Sequence, residues 1–139
     1  MHIAIIEARY YEEIADMLFS GVETFLMEEQ ATHDRITIDG AFELPLAMKI
    51  LIETGKYDGI IALGCVIRGE TTHYDYVCGE AARGLAKLSI DYMMPLGFGV
   101  LTVENKQQAI ERADPNKKNK GAEIAKACVD MIKLKRTCK

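Results

Sequence analysis

Gly59-Ile60-Ile61-Ala62-Leu63-Gly64-Cys65-Val66-Ile67 runs for nine residues without a charged side chain. A strand with one face in water alternates apolar and polar residues. One covered on both faces reads as a continuous apolar run, the mark of a parallel sheet flanked by helices. This stretch is therefore expected to be a central strand. Working outward, the same grammar repeats. His2-Ile3-Ala4-Ile5-Ile6-Glu7-Ala8 is a second short apolar run. Leu96-Gly97-Phe98-Gly99-Val100-Leu101-Thr102-Val103 is a third. Arg35-Ile36-Thr37-Ile38-Asp39 alternates with period two, as a half-buried strand does.

Between the strands the period changes to that of a helix. Ile14, Met17, Leu18, Val22, Phe25 and Leu26 form one apolar stripe, predicting a helix from about 12 to 30. Leu44, Ala47, Met48, Leu51 and Ile52 form another, closed by Gly55. The segment 73–92 carries Val77, Ala81, Leu85 and Leu88 on one side. A short helix near 106–113 stops at Asp114-Pro115, and the last is expected from about 120 to 135. Strand and helix alternate throughout, so right-handed crossovers predict a four-stranded parallel sheet with helices on both faces, an α/β fold. Residues 1–139 are read as a single domain.

Composition narrows the function classes. The 49% hydrophobic fraction and 27% charge exclude a disordered chain. No apolar run approaches the ~20 residues of a membrane span. The net charge of −4 disfavours nucleic acid as a partner. The start, Met1-His2-Ile3-Ala4, lacks the basic flank and apolar length of a signal peptide, so a cytoplasmic location is expected. Four cysteines, Cys65, Cys78, Cys128 and Cys138, contain no C-x-x-C pair, so Cys65 and Cys128 are expected as small core residues. Charge is uneven: residues 106–139 hold 10 basic against 4 acidic side chains, and 1–105 hold 7 against 17. A solvated Lys-rich helix explains this, and so does a small anionic ligand near Arg112 and Lys120.

Ligands of such folds bind at the C-terminal ends of the strands. Ala8-Arg9-Tyr10-Tyr11 follows the first strand, where two tyrosines could stack on a planar ring or simply pack. Gly40-Ala41-Phe42-Glu43-Leu44-Pro45 follows the second, and Glu43 at a helix start can accept hydroxyl protons. Val66-Ile67-Arg68-Gly69-Glu70-Thr71-Thr72-His73-Tyr74-Asp75-Tyr76 follows the third. A Gly-x-Thr turn opening a helix presents N–H groups and a hydroxyl to a phosphate. It is neither a Walker loop nor G-x-G-x-x-G. His73, just beyond, can take and give a proton near neutral pH. His2 and His33 lie away from these ends, so no metal site is expected. The short helix carrying Arg112 need not reach the His73 turn of its own subunit; a neighbouring subunit could supply the arginine. The residues alone stop at a phosphate-binding α/β domain.

Those three segments, with Gly99-Val100-Leu101-Thr102 and Ala109-Ile110-Glu111-Arg112-Ala113 through Asn119-Lys120-Gly121, resemble the 6,7-dimethyl-8-ribityllumazine synthase family of riboflavin biosynthesis. The similarity covers nearly the whole chain in order, and the Arg-Gly-Glu-Thr-x-His-x-Asp stretch is its most specific part. The resemblance implies a flavodoxin-like three-layer α/β/α sandwich. It implies condensation of 5-amino-6-(D-ribitylamino)uracil with 3,4-dihydroxy-2-butanone 4-phosphate, giving the lumazine, phosphate and water without metal or cofactor. By position, Tyr10 matches the aromatic residue stacking on the pyrimidine, and Ala41, Phe42 and Glu43 match the ribityl and ring segment. Val66 and Ile67 match the strand end at the pyrimidine edge. Gly69, Glu70 and Thr71 match the phosphate turn, and His73 matches the proton-transfer histidine. Phe98 and Arg112 match residues supplied by an adjacent subunit; Lys120 matches a second basic residue near that arginine, and Glu123 an acidic one grouped with it. The chain departs from the family pattern at Tyr10, where Phe or Trp is usual, at Tyr11, and at 114–118, where a Gly-rich loop is usual. The resemblance implies a homopentamer, with decamers and sixty-subunit shells also known in the family; the chain opens directly on the first core strand, which tilts the expectation toward the homopentamer, and riboflavin synthase is a further expected partner. Two rival readings are a binding protein that keeps the site without turnover and a shell subunit.

Overall fold

The structure is a computed structural model and describes residues 1–138. Its elements alternate: β1 (His2–Ala8), α1 (Glu12–Glu28), β2 (Thr32–Ile38), a single 3-10 turn (Ala41–Glu43), α2 (Leu44–Glu53), β3 (Gly59–Ile67), α3 (His73–Tyr92), β4 (Leu96–Val103), α4 (Lys106–Ala113) and α5 (Lys120–Thr137). The four strands are all parallel, in the order β2-β1-β3-β4. The unbroken apolar runs β1 and β3 occupy the centre, and the alternating β2 takes an edge, as their patterns require.

Side-chain alternation divides the core into two apolar layers. Ile3, Ile5, Ile61, Leu63, Leu101 and Val103 point toward α1, α4 and α5. Ala4, Ile6, Ile60, Ala62 and Val100 point toward α2 and α3. The result is the expected three-layer α/β/α arrangement. The α5 layer lies close to the sheet: a Cβ on Gly97 would stand 2.7 Å from the Ile124 carbonyl oxygen, and one on Gly121 would strike the Leu18 carbonyl oxygen of α1. Only glycine allows that approach. Cys128 is buried there and Cys65 nearly so, as small core residues.

Several boundaries differ from expectation. α1 ends at Glu28, not near 30, because Gln30 turns the chain with a φ of 57°. β2 begins at Thr32 rather than Arg35, because the polar Thr32, His33 and Asp34 pair in register with His2, Ile3 and Ala4. An edge strand hides such polar residues from a hydrophobicity pattern. α5 continues to Thr137. α3 closes on Met93 in the left-handed region, where the Met93 carbonyl accepts from Lys135 Nζ at 2.9 Å. Among the described residues no helix is long and apolar enough to cross a membrane.

Candidate active site

The parallel order brings the C-terminal ends of β1 and β3 side by side, with the chain after β2 folding over them. A cleft of about 370 Å³ opens there, lined by Tyr10, Tyr11, Gly40, Ala41, Phe42, Glu43, Cys65, Val66, Ile67, His73 and Val77. Seven of the residues singled out from the sequence therefore meet: Tyr10, Ala41, Phe42, Glu43, Val66, Ile67 and His73.

Three segments build the walls. The first is the turn from β1 to α1. Tyr10 is 76% exposed there, and Tyr11 meets it edge-on, with ring centroids 4.9 Å apart. Partial burial pushes the Tyr11 hydroxyl pKa up, so it stays a donor at neutral pH. The second is the 3-10 turn, which leaves Phe42 exposed and folds the Glu43 carboxylate back over Gly40. A Cβ at Gly40 would come 2.9 Å from Glu43 Oε2, so glycine makes room for the carboxylate. The third is the end of β3 with the start of α3. Thr71 Oγ1 accepts the His73 N–H at 3.3 Å, which places the imidazole at the first turn of a 20-residue helix. The positive end of that helix faces the turn Gly69–Thr72. Cys65 lies at the cleft floor, where burial raises its thiol to about 11 and keeps it protonated and unreactive.

Gly69, Glu70 and Thr71 are exposed on the rim beside the cleft. Arg68, next to them, is already engaged. Its Nε donates to Glu104 at 2.7 Å, its Nη1 lies 3.4 Å from Asp75, and its guanidinium stacks 4.3 Å over Tyr74.

Phe98, Arg112 and Lys120 are not brought to this cleft. Phe98 pairs across from Ala62, five residues before the end of β4, whereas the rim is marked by the pair Ile67 and Val103. At ~3.3 Å per residue that is about 16 Å back along the strand. Its ring is 43% exposed. Arg112 ends α4, in the layer with α1 and α5, and its Nη1 donates to its own helix at the Gln108 carbonyl, 3.1 Å away. Lys120 pairs with Glu123 at 3.0 Å at the start of α5.

Sequence reasoning did not single out Val77 as lining the cleft, nor Glu7, a buried carboxylate of β1. The signal for Glu7 was available: an acid in an otherwise apolar strand needs a buried cation.

Comparison with known proteins accords with this geometry. The model of the 6,7-dimethyl-8-ribityllumazine synthase family matches residues 1–136. A protein of that name from Methylobacterium radiotolerans is 48% identical over 134 residues, covering 96% of this chain and 82% of the relative. One from Sphingopyxis alaskensis is 46% identical, covering 96% and 94%. One from Zymomonas mobilis is 47% identical over 132 residues, covering 95% and 94%. With a match running from the start of β1 to within one residue of the end of α5, the chain belongs to the 6,7-dimethyl-8-ribityllumazine synthase family.

Proposed function

We propose that the chain is an enzyme condensing 5-amino-6-(D-ribitylamino)uracil with 3,4-dihydroxy-2-butanone 4-phosphate to 6,7-dimethyl-8-ribityllumazine, phosphate and water. The observation that carries this reading is the meeting of Tyr10, Phe42, Glu43 and His73 in one cleft beside a Gly-Glu-Thr turn at a helix start. Tyr10 stacks on the pyrimidine ring, Glu43 accepts ribityl hydroxyls, and the backbone at Val66 and Ile67 meets the ring edge. The chemistry is proton movement. Amine addition to the ketone and loss of water form an imine, elimination then expels phosphate, and ring closure loses water again. His73 can serve each transfer as acid or base. Holding two substrates together supplies much of the rate, so removal of His73 slows turnover without ending it.

The phosphate needs cations that its own subunit's rim does not offer. Arg68 is paired with Glu104 and Asp75. We therefore assign Arg112 and Lys120 of an adjacent subunit to the phosphate, with Gly69, Glu70 and Thr71, and Phe98 of that subunit to the ring. Exposed apolar side chains on α2 and α3, among them Leu46, Ile50, Ile90 and Tyr92, support a covered face between copies. The reading is a single-domain subunit in a cytoplasmic homopentamer, with decamer and sixty-subunit shell as the larger alternatives. Riboflavin synthase, as consumer of the product, is its expected partner.

The test mixes both substrates with the purified protein and follows lumazine absorbance and phosphate release. His73→Ala is expected to lower turnover. Arg112→Ala is expected to cost about 10²–10³-fold, as loss of a preorganised charge donor does. Co-assembling the two variants should restore part of the activity, since some clefts then receive His73 from one copy and Arg112 from another. An Arg112→Ala enzyme with unchanged rates would refute the phosphate assignment. No product from the unaltered protein would favour the binding-protein reading.

A further inference from the structure

Among the described residues, Glu7 is the one charged side chain wholly closed off from water. It continues the alternation of Ile3 and Ile5 and so points beneath α1, toward the layer those residues share. Two guanidiniums meet it. Arg9 Nη1 donates to Glu7 Oε1 at 3.0 Å. Arg35 holds both carboxylate oxygens, through Nε on Oε2 and through Nη2 on Oε1 at 3.0 Å. Asp16 of α1 joins them, accepting from Arg9 Nη2 at 2.8 Å and Arg35 Nη2 at 3.4 Å. The Arg35 guanidinium also stacks 3.7 Å over the Phe19 ring.

The sheet does not need these charges. An apolar residue would fill the position, as Ile3 and Ile5 do, without desolvating an ion. What the cluster does is bracket one turn. The Arg9 side chain spans from strand to helix, Glu7 to Asp16. The Arg9 N–H is fixed on the Ile38 carbonyl at 3.0 Å, and the Tyr11 carbonyl accepts the Ala15 N–H at 3.0 Å. Inside that bracket sits Tyr10, 76% exposed, with the edge of Tyr11 as its aromatic neighbour. With so little packing around the ring, the backbone of the turn decides where its Cβ stands and so which rotamers reach the cleft.

We propose that Glu7, Arg9 and Asp16 are positioning residues that fix the Arg9–Tyr11 turn, so that the Tyr10 ring stands ready for the pyrimidine, while Arg35 balances the buried carboxylate. This deepens the functional reading above and rests on it. Preordering the ring removes part of the ordering cost of binding.

The test is steady-state kinetics of Asp16→Asn, alone and with Tyr10→Ala. Asp16 is 63% exposed at its side chain, so its replacement opens no buried charge, and the melting midpoint checks the fold. The pyrimidine KM should rise roughly three- to tenfold, the scale of one unrestrained side chain. KM for the phosphate-bearing ketone should stay unchanged, kcat should change less than about twofold, and Asp16→Glu should restore the original KM. Adding Asp16→Asn to Tyr10→Ala should raise the pyrimidine KM no further. Multiplying effects, parallel rises in both KM values, or an unchanged pyrimidine KM in folded Asp16→Asn would each overturn the clamp alone. An unchanged pyrimidine KM in Tyr10→Ala would overturn the ring assignment and the clamp together.

Discussion

The two turns that flank the cleft, one after β1 and one after β3, differ in the side chains that tie them. The first is tied by four charged side chains and by backbone hydrogen bonds at both ends. The second, Gly69–Thr72, is also anchored by backbone at its two ends, the Arg68 N–H on the Val103 carbonyl at 2.9 Å and the Asp75 N–H on the Thr72 carbonyl at 3.0 Å. Between them it has a single side-chain contact, Thr71 to His73 at 3.3 Å, and its four amides donate to no backbone carbonyl among the described residues. One side of the cleft is finished before a ligand arrives. The other presents open amides at a helix start, which suit an anion that arrives with its own charge. The contrast matches the two substrates: a flat ring gains from a rigid surface, and a phosphate gains from free donors.

The largest effect that would sharpen this contrast is in stability. Arg35→Ala leaves the buried Glu7 with Arg9 as its remaining cation and should cost about 2–3 kcal/mol, the scale of charge-assisted hydrogen bonds lost, read from the urea midpoint at fixed protomer concentration. Thr71→Ala, on the exposed turn, should cost under about 1 kcal/mol while still raising KM for the phosphate-bearing substrate. Equal destabilisation by the two would break the comparison. Hydrogen exchange gives a second measure. The amides of Gly69, Glu70 and Thr71 should exchange freely and slow several-fold in excess inorganic phosphate, with Arg9 unaffected. Phosphate protection of Arg9 instead would place the anion on the wrong turn.

The smallest effect is on acid stability. Hydrogen bonding from Arg9, with a further contribution from Arg35, holds the Asp16 carboxyl below its ordinary range. A depressed carboxylate stabilises the folded state above its unfolded pKa, and that contribution is lost as pH falls through the folded value. Asp16→Asn should therefore flatten the acid limb of the stability profile below about pH 4 and leave its slope near neutrality unchanged. An unaltered acid limb would mean that Asp16 is not held by Arg9 in solution.

How much of this was legible beforehand depended on the kind of signal. The run 59–67 announces a doubly covered strand because burial on both faces removes polar residues altogether, and the order of the layers follows. The cleft residues Tyr10, Glu43 and His73 were legible because chemistry collects at strand ends in such sheets. Thr32–Asp34 were not read as strand, because an edge strand tolerates polar side chains on both faces. Phe98 came from the resemblance as a residue of an adjacent subunit, and its register with Ala62 sets it far from the rim of its own. Glu7 stands out as an acid in an apolar strand, but which cations meet it does not show in the sequence. Its partners are Arg9, two residues on, and Arg35 of β2, and no local pattern joins positions 7 and 35.

The quartet of Glu7, Arg9, Asp16 and Arg35 carries no net charge. It can grip one wall of the cleft without casting a field beyond it, so it neither draws nor repels an approaching dianion. The chain's basic excess lies instead in the Lys- and Arg-rich stretch from 106 onward, so any long-range pull on that dianion would have to come from there and would weaken with added salt.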